Sequence, residues 1–523
     1  MNRVQGIEDR VQGVEKIIVL DSAVNEGRYI GFEELQRKGA EWLAGHRNEL
    51  DERVKAIDER DLVNISYTSG TTAEPKGIML SHRNYVTNVL QSDSLIRIPD
   101  YYKVLLFLPW DHSFAHTVGL YSFMYNGASV ASVDYGQSGM EYLRNIPVNL
   151  QEVQPHILLS VPALAKNFRK NIEAGIRAQG RFTERFYRTG LRLVYKYNGF
   201  GDDRGKGWRC LLKPLVKLWD AVLFSKIRKQ VFGRNLRFFV GGGALLDIEL
   251  QRYYAALGVP MFQGYGLSEA SPVISSNTPG RHRFGSSGTL VKPMDILICD
   301  EDGKPLPHGQ KGELWIRGGN VMEGYWRNEK STAETIVDDW LHTGDLGYLD
   351  EAGWLYVLGR FKSLLIANDG EKYSPEGIEE TIAEQSGYID YCILYNNQSP
   401  YTAGLIVPNK AALREYVGKR NMEPDSPDSY RLMIKKLQEE LMAYRVGGRY
   451  ANLFPERWLP AVVAILPEPL TEQNGMINST MKVVRTRVYD HFKEEIDYLY
   501  TPEGKDMANR HNLQNLKRIM NKI

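Results

Sequence analysis

Five short apolar runs, each closed by turn residues and separated by helix-patterned stretches, constrain this chain more than any other feature. EKIIVLD near residue 18, VLLFLPW near 107, HILLSVP near 159, LRFFVGGG near 239 and VPMFQGYG near 262 are apolar on successive positions, not on alternate ones. Strands that read this way are covered on both faces, as in parallel sheets flanked by helices. Between them lie amphipathic stretches such as 32–57, where apolar residues recur every three or four positions. The alternation predicts a mainly parallel α/β arrangement over the first two-thirds. From about 281 to 357 the texture changes to short alternating segments with Gly turns, ILICDEDGKPLP and GELWIRGG among them, which predicts antiparallel β. The expected fold class is α/β: a large multi-subdomain N-terminal domain over 1–360, β-rich at about 281–357, then a small, mobile α+β domain over 361–500. Residues 501–523, rich in Asn, Lys and Arg, read as a frayed or disordered tail.

Composition narrows the partners. With 43% hydrophobic and 25% charged residues the chain can bury a large core, which excludes disordered and coiled-coil readings. The 65 Lys and Arg nearly balance the 64 Asp and Glu, so the whole molecule has no call for a polyanion. Residues 163–237 break that balance, with 19 Lys and Arg against 5 Asp and Glu and aromatics interleaved. Such a surface favours an anionic membrane face. A solvated helical insertion is the plainer alternative, and no recognition motif supports nucleic acid. Cys210, Cys299 and Cys392 are too few and too scattered for a disulfide framework or a metal site. There is no secretory h-region and no run of about 20 apolar residues. The expected location is cytoplasmic, with peripheral membrane contact left open.

The segment YTSGTTAEPKG at 67–77 concentrates hydroxyls, glycines and a lysine in one loop. Backbone N–H groups freed at Gly70, the hydroxyls of Thr68, Ser69, Thr71 and Thr72, and the Lys76 ammonium suit a polyphosphate. The spacing is not that of a Walker A loop. By composition alone it reads as an ordinary surface loop.

The full string closely resembles the phosphate loop of the adenylate-forming superfamily, and further segments match in order. GYGLSEASP at 264–272 is similar to the second signature: Tyr265 would line the adenine pocket with Gly264, Gly266 and Ser268 around it, and Glu269, with Thr71, would help to hold Mg²⁺. GGGAL at 241–245 resembles the turn against adenine, through Gly241, Gly242 and Gly243. HTGDLG at 342–347 would supply Asp345 for the ribose hydroxyls, and LGRFK at 358–362 would add Arg360. NSTMKVVRTRV at 478–488 resembles the segment with the catalytic lysine, here Lys482, although Met481 stands where the common form has Gly. A mobile ammonium there would stabilise charge developing when a carboxylate attacks the α-phosphate.

Two stretches, 224–246 and 258–275, resemble bacterial long-chain fatty acid–CoA ligases, and LPWDHSFAHTVG at 108–119 resembles their acyl-side loop, with His112, Trp110 and Phe114 on the acyl side. His116 reads equally well as a satisfied loop histidine. The resemblance implies an ATP-dependent reaction through an acyl-adenylate, with Mg²⁺ and coenzyme A required and acyl-carrier protein as an alternative acceptor. A non-catalytic nucleotide- or acyl-binding protein is the rival of another class. The resemblance also implies a hinge near Lys362 and Ser363, and a loop, NDGEKYS at 368–374, whose Gly370 and Glu371 would serve the CoA step. The phosphate loop comes earlier here than in the family, so a shortened N-terminus with an unpaired sheet edge is expected.

Overall fold

The computed structural model describes residues 13–20, 27–68, 75–136, 139–243, 246–451, 453–477 and 483–521. These fall into two units, Met1–Asp61 and Leu62–Ile523.

In the first unit two short strands, Ile17–Val19 and Tyr29–Gly31, pair in parallel and lead into the helix Phe32–Lys55. That helix buries no residue within the structure. Side-chain pairs one turn apart support it: Arg37 lies 2.7 Å from Glu34, and Arg53 lies 2.5 Å from Glu49. Glu33 and Glu34 in the first turn complement the helix dipole.

The second unit is organised by a seven-stranded sheet. Its strands Lys103–Leu106, Ser129–Ser132, Ile157–Ser160, Phe238–Gly241 and Met261–Gly266 are parallel, and Val273–Ser276 and Thr289–Leu290 extend it antiparallel. Period-two alternation sends Leu105, Leu158 and Phe239 into one core, and Val104, Ile157, Leu159, Phe238 and Val240 into another on the opposite face. Both faces are covered, which is why the four parent runs of this sheet are apolar throughout; the run near residue 18 differs, since its strand Ile17–Val19 belongs to the two-stranded sheet and leaves Ile18 and Leu20 exposed.

A five-stranded antiparallel sheet built from Asp295–Cys299, Gly312–Arg317, Ile336–Val337, Trp340–Leu349 and Leu355–Arg360 occupies the β-rich stretch. A smaller sheet joins Leu62–Thr68, Lys76–Ser81 and the distant Gly324–Tyr325, with Leu62–Thr68 at its edge. Beyond residue 361 a separate core forms under a sheet of Ile389–Tyr395, Ala403–Pro408 and Val462–Ile465.

Near the C-terminus two short helices, Arg485–His491 and Lys493–Leu499, are parted at the buried Phe492. Residues 501–521 are no frayed tail: the helix Arg510–Asn521 buries Leu516, Ile519 and Met520. Asn512 accepts from Ile465 N at 2.7 Å and donates to Val463 O at 2.8 Å, acting as the missing neighbour of that strand. The polar composition that suggested solvent is partly structural hydrogen bonding.

Candidate functional site

The carboxyl ends of the parallel strands open onto one cavity. It holds about 920 Å³ of space, its mouth included, and its rim carries Gly242, Gly243, Gly264, Tyr265, Gly266, Ser268, His112 and Phe114. Leu95, Ile96, Ile98, Val118, Phe123, Ile157, Phe238 and Val240 wall it. Phe238 and Gly242 are four residues apart along an extended strand, about 13 Å, and Val240 of the wall lies between them. Crevices at strand C-termini are the usual binding place in open α/β sheets.

The glycines fit close approach. A Cβ on Gly266 would sit 1.9 Å from Pro272 O, so no side chain is tolerated there. Gly243 has φ +82°, and a Cβ on Gly242 would touch the Phe114 ring at 3.4 Å. A buried network fixes the loop that follows: Thr117 Oγ1 donates to Ser271 O, Ser271 Oγ to Asn320 O, and Asn320 Nδ2 to Ala270 O, all within 2.9 Å. Ser268 Oγ meets Ser113 Oγ at 3.2 Å, tying this loop to the segment 108–119.

Tyr265 reaches from the rim to a charged pair. Its hydroxyl donates to Asp345 Oδ2 at 2.6 Å, and Arg360 Nε lies 3.1 Å from Asp345 Oδ1. The pairing is built by register, since Asp345 and Arg360 are directly opposed on neighbouring strands. Burial, reinforced by the Asp345 charge, pushes the Tyr265 phenol well above its usual range, and Asp345 in turn holds Arg360 charged.

Four residues beyond Tyr265, Glu269 Oε1 accepts from Tyr325 OH at 3.0 Å, and Lys76 Nζ lies 4.8 Å from the centre of the Tyr325 ring. A lysine and a carboxylate distant in sequence therefore meet at one aromatic ring. Tyr325 gets there because Gly324–Tyr325 pairs with Met79 and Ile78, just beyond Lys76. Among the described residues no three His, Cys, Asp or Glu side chains cluster as a ready-made metal site. A single carboxylate is consistent with Mg²⁺, which takes one or two carboxylates and completes its shell with phosphate and water.

Other expected residues are placed differently. His116 is buried, shared between Tyr85 OH at 2.8 Å and Trp110 O at 3.1 Å, and burial favours its neutral form. Trp110 is half exposed and does not line the cavity. Gly241 ends its strand just before the rim. Glu371 lies apart, 2.5 Å from Arg457 and 3.0 Å from Trp458 Nε1, beside Gly370 at φ +83°. Ser363 follows Arg360 in the short turn Phe361–Ser363, which also includes Lys362. Thr68 ends the strand Leu62–Thr68. Ser69, Gly70, Thr71, Thr72 and Lys482 lie outside the described residues.

Around the Lys362–Ser363 turn the two halves of the second unit touch through ionisable groups. Arg360 N donates to Glu376 at 3.1 Å, Lys166 pairs with Glu384, and Gln385 reaches Asp247 at 3.5 Å. Burial pushes Glu380 up to about 8 and Glu384 up to about 7, with Lys166 opposing the shift in both.

Sequence reasoning missed Tyr325, Ser113 and the cavity wall. Ser92 Oγ and Asp93 Oδ1 were also missed; both are buried in the cavity lining without a hydrogen-bond partner among the described residues. Only the Gly-Tyr-Trp step at 324–326, beside a signature-rich region, could have pointed to Tyr325.

The sequence profile of a family described as AMP-binding enzyme matches residues 2–326. A long-chain-fatty-acid–CoA ligase of Mycobacterium bovis is 27% identical over 470 residues, which cover 87% of this chain and 72% of that protein. A chloroplastic long-chain-fatty-acid–[acyl-carrier-protein] ligase of Arabidopsis thaliana is 27% identical over 521 residues, covering 92% and 68% respectively. Among solved structures, an anthranilate CoA ligase in complex with anthranoyl-AMP superposes with a TM-score of 0.63 at 19% identity, covering 94% of this chain and 77% of that one. That likeness establishes the α/β fold.

Proposed function

The chain belongs to the AMP-binding enzyme family, and from that premise we propose that it ligates a long-chain fatty acid to coenzyme A at the expense of ATP. A carboxylate oxygen of the acid attacks the α-phosphorus, and the bond to pyrophosphate breaks. The CoA thiolate sulfur then attacks the acyl carbon, and the bond to AMP breaks. The mixed anhydride is needed because a free carboxylate is a poor electrophile, whereas AMP is a stable leaving group.

The observation that carries this reading is the cavity itself, whose rim of Gly242, Gly243, Gly264, Tyr265 and Gly266 opens directly onto a wall of Ile, Leu, Val and Phe. In the proposed arrangement Asp345 and Arg360 take the ribose, Tyr265 and the glycine turns take the adenine, and Lys76 with the loop at 69–74 takes the phosphates. Glu269 and Thr71 would hold Mg²⁺, which supplies charge neutralisation to the phosphates when bound. Lys482 would orient the α-phosphate during the first step. A rotation at Lys362 and Ser363 would then bring Gly370 and Glu371 to the CoA side.

Incubation with ATP, Mg²⁺, CoA and palmitate-type acids is expected to yield AMP and acyl-CoA in equal amounts, and no AMP with any acid would refute the proposal. The similarity to a ligase that uses acyl-carrier protein supports that protein as a second acceptor. Replacing CoA by acyl-carrier protein in the same assay separates the two.

A further inference from the structure

The segment 207–224 folds as a continuous run of helical turns, Gly207–Leu212, Lys213–Trp219 and Asp220–Phe224, and the first two bury no residue at all. Trp208, Leu211, Leu215, Leu218 and Val222 are between 45% and 76% exposed. They recur at steps of three, four, three and four, which places them on one face. Five large apolar side chains aligned in water are not the scattered exposure that folded proteins tolerate.

The inner face of the same run explains why it is held in place. Val216, Trp219 and Leu223 pack against the sheet's core. Trp219 stacks on Phe186 at 5.0 Å and donates from its indole to Phe186 O at 3.3 Å, and Gly190 leaves room for the ring, since a Cβ there would fall 2.1 Å from Trp219 Cδ1. The partner in that packing is the helix Arg181–Asn198. It exposes Arg181, Arg185, Arg188, Arg192 and Lys196 at steps of four, three, four and four, again one face. Among the described residues Arg188 alone within this row has an acidic partner, Glu184 at 2.6 Å. Phe182, 84% exposed, stands at its start.

We propose that the apolar stripe 208–222 and the neighbouring basic row 181–196 form a docking surface for the headgroup and acyl boundary of an anionic lipid bilayer. An aqueous protein partner would need only one of these features, while a bilayer rewards both. Apolar side chains enter the boundary, and cations stay among the phosphates. The exposed Lys206, Lys213 and Lys217 add to the charge, and residues 163–237 carry 19 basic against 5 acidic side chains while the chain as a whole is nearly neutral. A second copy of this chain is a poorer match, because two such faces would oppose like charges. Among the described residues no helix is long and apolar enough to cross a membrane, so the attachment is from one side.

The test is sedimentation of the full chain with phosphatidylcholine vesicles, with and without about 30% phosphatidylglycerol, at low and high salt. The wild type is expected to sediment with the anionic vesicles and far less with neutral ones. Arg185→Ser with Arg192→Ser should weaken binding about fivefold per cation removed, with the difference disappearing at high salt. Leu211→Ser with Leu218→Ser should remove the salt-resistant remainder. Both double variants change exposed residues, and unchanged thermal melting verifies folding. Absence of wild-type binding, or equal binding by both variants, would overturn the proposal. So would a dimer of the wild type that Leu211→Ser with Leu218→Ser dissolves, since the stripe would then be an interface between copies. The readout is binding alone, so failure here leaves the ligase proposal standing, and failure of the ligase assay leaves this one standing.

Discussion

Arg360 stands directly across a strand pair from Asp345, its Nε 3.1 Å from the carboxylate, so that the charge on one defines the position of the other. The geometry holds the Asp345 carboxylate in a fixed orientation. Asp345→Asn keeps the shape and removes the charge. It is expected to raise the KM for ATP at least about tenfold and to lower stability by about 1–3 kcal/mol, the cost of a lost charged hydrogen bond at a site where the Arg360 side chain is still 43% exposed. Pyrophosphate release at varied ATP, together with denaturant melts, checks both effects. An unchanged KM would remove Asp345 from the nucleotide site.

Gly266→Ala tests whether the rim tolerates a side chain. A Cβ there meets a backbone carbonyl, Pro272 O, at 1.9 Å, which no rotamer relieves. Strain of about 1–3 kcal/mol and loss of most adenylation are expected. Gly280→Ala, where nothing lies within 4 Å, is the neutral control. Equal melting and equal activity for the two variants would contradict the rim geometry.

Lys482→Ala is expected to abolish adenylate formation while sparing thioester formation from supplied acyl-adenylate. Equal loss in both half-reactions would contradict a role confined to the first step.

The contact between the helices Pro162–Ala178 and Glu376–Gln385 has a pH signature. Burial raises Glu380 to about 8 and Glu384 to about 7, from an ordinary value of 4.5. A carboxyl whose folded pKa is raised stabilises the fold below its unfolded pKa, and that contribution fades as pH rises towards the folded one. Thermal stability contributed by this contact should therefore fall between about pH 5 and pH 8. Glu380→Gln and Glu384→Gln should flatten the fall, measured as the difference in melting temperature from wild type at each pH. A variant with the wild-type slope would show that these carboxyls titrate normally.

Much of this was legible in the sequence, and the reasons differ by element. Four of the five parallel strands of the seven-stranded sheet were readable because burial on both faces leaves an uninterrupted apolar run, as in 238–241 and 157–160; Ser129–Ser132, exposed at both ends, was not. The glycine and charged rim was readable because its members sit in short contiguous strings. Tyr325 was not, because its position depends on pairing with Ile78, nearly 250 residues away. The cavity wall was not, because Ile98 or Phe238 beside a void has the same composition as Ile98 or Phe238 in a core. The Asn-rich C-terminus misled for the opposite reason: Asn512 is polar yet buried, its amide completing the edge of a strand.

Acid-dependent exchange of labelled pyrophosphate into ATP measures the adenylation step without reference to the acceptor. The account predicts that exchange by the wild type appears only when a long-chain fatty acid is added, and that it collapses in Lys76→Ala and Asp345→Asn. Tight ATP binding with no exchange for any carboxylic acid would contradict it.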